Sequence, residues 1–385
     1  MKLKDCCIII AGQSPESKYY NREGVGLPFF QGKADFGSLY PTIRVYCSKP
    51  TKVAEKGDIL LSVRAPVGPT NLAPCTVCIG RGLTAIRPSD KLLTRYVLLY
   101  FRYFEAQLAS KGTGTTFKAI TQDVVKNLDI PVPSLDEQAR IVARIEEMFS
   151  ELDAGVETLK KTKAQLAVYR QAVLKEAFDS IEASFYHPLR AAILGSPQNG
   201  LYKPKSDYCD NGTPILRIDG FYDGFILSDY SFKRVNLSAE EIERYRLELG
   251  DLVVNRVNSM PYLGKCALVR SLIEPTVFES NMMRIKLDTD KVEGDWITYY
   301  LSSHSGRKEL TKNAKQAVNQ ASINQTDVGN ALVPIPSINE QKRLVTVIES
   351  RLSVCDSIDQ TIDMALQQSE AMRQSILKDA FEGRL

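Results

Sequence analysis

The 385-residue sequence predicts an α+β fold: two mixed α/β domains separated by two long helices that pair as an antiparallel coiled coil with internal pseudo-two-fold symmetry. The first observation behind this prediction is an internal repeat. Residues 130–142 read IPVPSLDEQARIV and return as VPIPSINEQKRLV at residues 333–345, an offset of 203 (333 − 130). A period near half the chain length indicates two similar halves rather than a solenoid.

The second observation is the distribution of proline, which divides the chain into four segments. Residues 1–133 and 184–336 are rich in Pro, Gly and short β-type runs, whereas residues 134–183 and 337–385 contain no Pro. Because proline is excluded from helix interiors, each Pro-free segment is predicted to be one helix that begins after a Pro-x-Pro. The two Pro-rich segments are then the mixed α/β domains.

The third observation concerns the starts and apolar faces of these helices. Ser134 and Ser337 are good N-cap residues, and a Glu stands three positions after each, at capping-box spacing. Apolar residues then recur at steps of three and four, the pattern of a coiled-coil seam. The predicted seam is Ile141, Ile145, Met148, Leu152, Leu159, Leu344, Ile348, Cys355, Ile362 and Ile376, and Tyr169, Ile358 and Met372 lie on the same pattern.

Helix length favours pairing between the two helices. About 45 residues at 1.5 Å each make a rod of roughly 65 Å, which is hard to bury inside one small domain. Two such helices in one chain are predicted to pack against each other, antiparallel, with one α/β domain at each end. The alternative is that each helix is an ordinary core helix of its own domain.

Within the domains, short apolar runs predict strands at residues 6–10, 57–63, 73–79 and 250–255. Short helices are predicted at residues 96–104 and 295–301, each followed by a polar loop.

Composition sets limits on location and metal binding. The net charge of +3 permits nucleic-acid binding without itself indicating it. No stretch approaches the ~20 apolar residues of a membrane span, and no secretory signal is evident, so a cytoplasmic protein with eight reduced cysteines is expected. Cys75 and Cys78 have zinc spacing, but no second Cys pair stands at a suitable distance, and we predict no metal.

The motifs of common enzymes are missing from the sequence. The two histidines, His187 and His304, both lie in the second half, so a duplicated His-based site is excluded. No phosphate-binding loop, nucleophile elbow, HExxH motif or dinucleotide-binding glycine pattern is present. The sequence therefore predicts a binding protein and not an enzyme.

Side chains suited to DNA gather in the two α/β domains, where the halves differ most. Arg, Lys, Asn and Gln distinguish base edges in the major groove, and Ser and Thr more often hold phosphates. The first half offers Lys18, Tyr19, Tyr20, Arg22, Gln31, Lys33, Arg44, Arg64, Thr115, Thr116 and Lys118, and the second offers Tyr202, Lys203, Lys205, Arg217, Asn255, Arg256, Asn258, Lys312, Lys315, Gln316, Asn319 and Gln320. A duplicated scaffold with divergent domains suits the reading of two different short sequences.

The whole chain resembles the DNA specificity subunit of type I restriction–modification systems. The motifs that carry the resemblance are IPVPSLDEQ at residues 130–138 with its copy, the helix ends LKEAF at 174–178 and LKDAFEGRL at 377–385, and RAPVG at 64–68, IGRGL at 79–83 and GTTFKAI at 114–120. The second domain departs from this pattern, because NRVNS at residues 255–259 replaces the RAPVG run.

The resemblance implies a subunit without catalytic activity. Residues 1–133 and 184–336 are then target-recognition domains, each reading half of a bipartite, gapped DNA target. Duplex geometry predicts that two domains on one face of the DNA lie about one helical turn (~34 Å) apart. The helices set the gap and dock two methyltransferase subunits. S-adenosylmethionine is expected on the methyltransferase, and ATP and Mg²⁺ on a motor–nuclease (restriction) subunit where one is present. Two alternatives stay open: a coiled-coil scaffold that organises protein partners without reading DNA sequence, and a nuclease fused to a recognition module.

Overall fold

The computed structural model of the chain describes residues 1–113, 118–222, 224–226 and 232–385. Its contacts divide it into two compact units. Unit 1 comprises Met1–Lys160 and Asp363–Leu385, and unit 2 comprises Lys161–Ile362. The division falls inside both long helices, so each unit holds the first part of one long helix and the last part of the other.

Unit 1 is built around two β-sheets and one amphipathic helix. Its elements are β1 (Cys7–Ala11), β2 (Tyr20–Asn21), β3 (Leu27–Phe30), β4 (Tyr46–Cys47), β5 (Val53–Ala54), β6 (Ile59–Ser62), β7 (Thr70–Leu72), β8 (Val77–Ile79), β9 (Leu83–Pro88), α1 (Thr94–Ser110), α2 (Gln122–Lys126) and the first part of α3 (Leu135–Asp179). The antiparallel sheet has the order β1-β9-β6-β7, and the second has the order β2-β4-β3-β8-β5 with β3 parallel to β8. Buried faces of α1 and the first sheet share one core.

Unit 2 repeats this plan with additional short elements. They are β10 (Tyr186–Pro188), β11 (Gln198–Asn199), β12 (Tyr208–Cys209), β13 (Thr213–Leu216), β14 (Phe221–Tyr222), β15 (Phe225–Ile226), β16 (Lys233–Val235), α4 (Ala239–Tyr245), β17 (Asp251–Asn255), β18 (Val257–Asn258), β19 (Cys266–Leu268), β20 (Val277–Phe278), β21 (Met282–Lys286), α5 (Gly294–Ser302), α6 (His304–Thr311), β22 (Lys315–Gln316), β23 (Ala321–Ser322), α7 (Gln325–Gly329), β24 (Leu332–Pro334) and the first part of α8 (Ile338–Phe381).

The sheets of unit 2 match those of unit 1. The antiparallel sheet β11-β21-β17-β19 corresponds to β1-β9-β6-β7, and in β12-β16-β13-β20 the strands β13 and β20 are parallel, as β3 and β8 are. The strands predicted at residues 6–10, 57–63 and 250–255 are confirmed as β1, β6 and β17, and the helices predicted at 96–104 and 295–301 as α1 and α5. The run at residues 73–79 forms a strand only over its last three residues, β8.

Both long helices begin where the Pro-x-Pro pattern predicts. The Ser134 and Ser337 hydroxyls accept the backbone N–H groups of Glu137 and Glu340, at 3.3 and 3.4 Å. The carboxylate of each Glu accepts hydrogen bonds from an arginine three residues later instead of capping the serine N–H. Each helix start is therefore fixed by a serine cap and a local ion pair.

Within each unit the two long helices run antiparallel. In unit 1, Arg373 of α8 pairs with Asp153 of α3, and Ala380 lines one small groove with Arg140. In unit 2, Arg170 of α3 pairs with Asp356 of α8, and the later Glu176 of α3 pairs with the earlier Arg351 of α8, both at 2.6 Å. Because later residues of α8 meet earlier residues of α3, the predicted antiparallel pairing is confirmed inside each unit.

The ten predicted seam residues are buried or half-buried. The prediction was wrong for Tyr169, Ile358 and Met372, which are exposed by 48%, 40% and 53%. Arg170 and Arg373 follow Tyr169 and Met372 in sequence and pair with Asp356 and Asp153, so at these two positions an arginine takes the place of the apolar residue between the helices.

A buried glutamine fastens each α/β domain to the helix that follows it. Gln138 is 0% exposed, donates to the carbonyls of Lys91 and Pro133, both at 2.9 Å, and accepts the N–H of Leu93 at 2.8 Å. Gln341 makes the same three bonds in unit 2, to Lys291, Pro336 and Glu293. The motif EQ in each copy of the repeat therefore positions the domain on its helix.

Candidate nucleic-acid interface

Five loops of unit 1 meet at one margin of its sheets, which we call loop edge 1: residues 12–14, 30–32, 63–65, 80–82 and 118–120. Backbone hydrogen bonds hold it together. The N–H groups of Gly12, Gln13 and Gly80 donate to Leu83, Ile79 and Phe30, at 3.0, 3.0 and 2.9 Å. Val63 N–H donates to the Gly82 carbonyl at 2.9 Å, and Ala65 N–H to that of Lys118 at 2.9 Å.

Glycine is required at this margin by close approach of the backbone. A Cβ on Gly12 would lie 2.2 Å from the Gly80 carbonyl oxygen, and one on Gly82 would lie 2.3 Å from that of Gln31. Gly12 and Gly82 therefore allow two chain crossings at loop edge 1, and the sequence IGRGL places Arg81 between them.

Loop edge 1 presents cations to solvent. Arg64, Arg81 and Lys118 are exposed, and none takes part in the ion pairs found among the described residues of the chain. Gln13 and Gln31 are exposed beside them. Unpaired guanidinium and ammonium groups next to amides provide both phosphate contacts and base-edge donors.

Unit 2 forms the corresponding loop edge 2 from residues 200–201, 216–217, 256–258, 279–281 and 321–323. The N–H groups of Gly200, Leu201 and Glu279 donate to Met282, Phe278 and Leu216, at 3.1, 3.0 and 3.0 Å. These bonds match those of Gly12, Gln13 and Gly80. Glu279, Ser280 and Asn281 thus stand where loop edge 1 has Gly80, Arg81 and Gly82.

The arginines of loop edge 2 are half-buried and contact groups of their own unit, although the Nε atoms of Arg217 and Arg256 have no hydrogen-bond partner in the described structure. Arg217 Nε lies 3.3 Å from Glu279 Oε2, and Arg256 Nη1 donates to the Ser280 carbonyl at 2.9 Å. Burial raises the pKa of Glu279, while the Ile218 N–H and Arg217 oppose that rise. Loop edge 2 therefore offers fewer free cations than loop edge 1.

Asn255 departs from the predicted DNA-binding set. Its side chain is 0% exposed at the end of β17, and neither its Oδ1 nor its Nδ2 has a hydrogen-bond partner in the described structure. The sequence offered it as a DNA-binding residue, whereas β17 carries its side chain into the interior of the unit. Asn258, three residues later, is half-buried on β18.

A hairpin projects from loop edge 2. Strands β22 and β23 pair with each other, and β23 also pairs with β18. Lys315, Asn319 and Gln320, all predicted as DNA-binding residues, are exposed on this hairpin. Its counterpart in unit 1 begins with the Thr113–Ala119 bridge and carries Lys118, whereas Thr115 and Thr116 lie outside the described residues.

The remaining predicted residues lie elsewhere in their units. Lys33, Arg44 and Lys205 are exposed. Lys18 pairs with Glu16 at 2.6 Å, and Lys203 pairs with Glu241 at 2.7 Å.

Tyr20 has a structural environment in unit 1. It stacks on Phe29 at 4.7 Å between ring centroids, and its hydroxyl donates to the Pro15 carbonyl at 2.8 Å. Burial raises the pKa of its hydroxyl.

Sequence reasoning left Arg81, Gln13 and Lys308 out of the candidate set. Arg81 sits inside the IGRGL motif, and its flanking glycines were the signal that could have identified it. Gln13 has no comparable local signal, because only the fold brings it to loop edge 1. The exposed Lys308 of α6 likewise has none, and it lines a groove with Met260.

The described part of the chain groups no three or more His, Cys, Asp or Glu side chains that could hold a metal ion. Cys78 is buried in a strand, Cys75 is half-buried, and both are free thiols. None of the described helices combines the length and apolarity needed to cross a bilayer.

Comparisons with known proteins agree with this duplicated architecture. The family described as "Type I restriction modification DNA specificity domain" matches residues 1–167 and 193–368. The chain is 42% identical to the putative type I restriction enzyme MjaX specificity subunit of Methanocaldococcus jannaschii over 167 residues, which are 43% of this chain and 38% of that protein.

Two further comparisons cover different shares of the chain. It is 26% identical to the type I restriction enzyme StySPI specificity subunit of Salmonella potsdam, over 81% of this chain and 70% of that protein. The crystal structure of the HsdS subunit from Thermoanaerobacter tengcongensis matches with 51% identity and a TM-score of 0.38, over 40% of this chain and 38% of that one. By its two family matches, the chain belongs to the type I restriction–modification DNA specificity domain family.

Proposed function

We propose that this chain is the DNA-reading specificity subunit of a type I restriction–modification complex. Each α/β domain reads one half of a bipartite, gapped DNA target through its loop edge. The paired helices set the gap and dock two methyltransferase subunits. The observation that carries the proposal is that loop edges 1 and 2 share backbone hydrogen bonds but differ in the side chains they present.

The chemistry of the loop edges supports DNA as the ligand. Exposed Arg64, Arg81 and Lys118 on loop edge 1, and exposed Lys315 with amides on the hairpin that projects from loop edge 2, match the groups that contact phosphates and base edges. A pure protein scaffold would not need two divergent polar margins on a repeated backbone. The coiled-coil scaffold without DNA reading is therefore the less favoured function.

The proposal assigns the catalytic steps to partners. S-adenosylmethionine belongs to the methyltransferase subunits, and ATP and Mg²⁺ to a restriction subunit where the system has one. This chain binds double-stranded DNA in the cytoplasm and contributes no catalytic group of its own. Mg²⁺-dependent cleavage by the purified chain alone would contradict that assignment and favour the fused nuclease.

Methylome sequencing tests the proposal directly. Cells carrying this gene with its methyltransferase gene are compared with cells in which only this gene is deleted. We expect a gapped, asymmetric methylated motif that disappears on deletion. A motif that persists without this gene would show that the chain does not read DNA sequence and would favour the scaffold.

Domain exchange assigns each half of the motif. Replacing residues 184–336 with another recognition domain of the family is expected to change one half-site and leave the other unchanged.

Inserting four residues in α3 near Ala164 is expected to change the gap or abolish binding while both half-site sequences persist. New half-site bases after the insertion would contradict the role of the helices as a ruler.

A further inference from the structure

The hairpin of unit 2 is anchored at its root and free at its tip. Ala321 and Ile323 are 2% and 1% exposed and belong to the main core of the unit. The pairing of β22 with β23, through Lys315–Ser322 and Gln316–Ala321, lies at this buried root, and β23 also pairs with β18. Beyond it, Ala317 N–H donates to the Gln320 carbonyl at 2.7 Å. The tip of a short two-stranded ribbon, closed by the turn 317–320, therefore projects from a rigid base.

The tip has an unusual composition for a solvent-exposed turn. Val318 is 98% exposed, the highest value among the exposed apolar side chains of the described residues. Gln316, Asn319 and Gln320 surround it in sequence and are also exposed. A tip with one apolar side chain among amides is complementary to a ligand surface that presents both hydrogen-bonding groups and a methyl group.

The positive charge of the ribbon favours a polyanion as its binding partner. No Asp or Glu occurs from residue 310 to residue 326, while Lys315 stands on β22 and Lys312 directly before it. Lys312 pairs with Glu309 at 2.7 Å, whereas Lys315 takes no part in the ion pairs of the described residues. Lys308 of α6 is exposed and lines a groove of about 390 Å³ with Met260 and His304.

The dimensions and chemistry of B-DNA match this ribbon. Its major groove, about 12 Å wide, admits a two-stranded β-ribbon, and thymine alone presents a C5-methyl group there. Amides of Asn and Gln pair with adenine edges, and apolar side chains contact the thymine methyl. Flanking lysines then meet phosphates on the groove walls.

We propose that residues 315–322 are the base-reading ribbon of unit 2, which enters the major groove and packs Val318 against a thymine methyl group. Gln316, Asn319 and Gln320 bond to the neighbouring base edges, and Lys308 and Lys315 hold the backbone. The inference rests on the proposed function and deepens it, because it names the residues through which the second domain recognises its half-site.

The test uses the full chain in complex with its methyltransferase subunits and duplexes that carry the target motif. Each thymine of the half-site assigned to residues 184–336, on either strand, is replaced in turn by deoxyuridine, which lacks only the methyl group. We expect one replacement to weaken binding of the wild-type complex about fourfold, the effect of one buried methyl group. The Val318→Ala complex is expected to bind the thymine and deoxyuridine duplexes equally.

Leu249→Ala is the matched control. Leu249 is 68% exposed and precedes β17, at the opposite end of that strand from loop edge 2. Its removal is expected to leave the thymine preference intact. A half-site without thymine, or a Val318→Ala complex that keeps the preference, overturns the inference while the proposed function stands. Loss of all sequence preference in the wild-type complex overturns the proposed function itself.

Discussion

Loop edges 1 and 2 are closed by the same backbone hydrogen bonds and differ in how their charges are used. Gly12 N–H donates to Leu83 as Gly200 N–H donates to Met282, and both margins place a residue between two chain crossings. That residue is the free Arg81 in unit 1 and Ser280 in unit 2, where the arginines nearby are bound internally. The backbone is thus a constant frame, and recognition resides in side chains that the frame leaves free to vary.

A second contrast lies at the opposite end of the central strands. The Asp58 carboxylate is buried and accepts two bonds from Arg87, at 2.8 and 2.9 Å. Asp251 occupies the same turn in unit 2, but Arg284 is 3.9 Å away. Both carboxylates accept a backbone N–H three residues earlier, so the turn is shared and only the cation differs.

The largest expected effect tests the shared frame. Phe178 is 3% exposed and packs against Trp296 and Tyr300, with ring centroids 4.6 and 5.1 Å apart. Phe178→Ala should destabilise unit 2 by about 3–5 kcal/mol, because it leaves a cavity in the core. Urea unfolding, with hydrogen exchange of α5 to locate the loss, measures it.

The corresponding substitution in unit 1 should also destabilise its unit, but by a smaller free energy. Phe381 packs on Tyr96 and Tyr100, at 5.3 Å in both cases, yet is only half-buried, so Phe381→Ala should cost about 2–3 kcal/mol. Phe185→Ala is the control, since Phe185 is 40% exposed. If Phe178→Ala behaves like this control, the two units do not share a frame.

The next prediction is that asparagine substitutions at the two buried aspartates, Asp58 and Asp251, differ in their effect on stability. Asp58→Asn removes the charge that holds Arg87 and should destabilise unit 1 by about 2–3 kcal/mol at pH 7. Asp251→Asn keeps an acceptor for the Glu248 N–H. It removes a carboxylate whose pKa is raised by burial, although the Glu248 N–H and Arg284 act to lower that pKa. It should cost nothing at pH 7 or stabilise unit 2 slightly.

The pH dependence follows from the sign of that shift. Because the pKa of folded Asp251 lies above the ordinary value near 3.9, its folded state binds the proton more tightly. Its contribution to stability is present below the ordinary pKa and is lost as pH rises through the folded pKa. Asp251→Asn should therefore flatten the decline of unit 2 stability just above pH 4. Equal losses for both Asn variants at pH 7 would contradict the contrast.

A smaller effect concerns DNA affinity. Arg81→Ala should weaken target binding about tenfold and lower the slope of log affinity against log salt by about 1, because one cation no longer displaces counterions. Ser280→Ala, at the matching position, should change neither quantity by more than about twofold. Titrations at several salt concentrations measure both variants. A larger loss for Ser280→Ala would reverse the assignment of free charge to loop edge 1.

The backbone frame was predictable from the sequence, but which polar and charged side chains are free, paired or buried was not. Local rules encode the helix starts through the Pro-x-Pro followed by Ser and the EQ pair in each copy of the repeat. The predicted serine caps were confirmed at Ser134 and Ser337. The burial of Asn255 and the pairing of Arg217 with Glu279 depend on contacts between residues far apart in sequence. Periodicity likewise assigned Tyr169 and Met372 to the seam, because the apolar pattern does not show that the next residue, an arginine, turns inward.

The smallest expected effect concerns those inward arginines. Arg373 and Arg170 stand at matching positions of the repeat and pair with Asp153 and Asp356, but their apolar neighbours differ. Arg373 lies over the Phe149 ring, 5.1 Å from its centroid, whereas the matching residue in unit 2 is Leu352, which has no ring. Arginine over an aromatic face is stabilised by charge–quadrupole attraction in addition to its ion pair.

A double-mutant cycle of Arg373→Lys with Phe149→Leu should therefore show a coupling of about 0.5–1 kcal/mol in unit 1 stability. The matched cycle of Arg170→Lys with Leu352→Ala should show less than about 0.3 kcal/mol, because none of the cation–π contacts among the described residues involves that guanidinium. Lysine keeps the charge in both cases, so the difference reports stacking and not the ion pair. Equal coupling in the two cycles would show that Phe149 acts only as apolar volume, and the two helix pairs would then be equivalent in energy as well as in geometry.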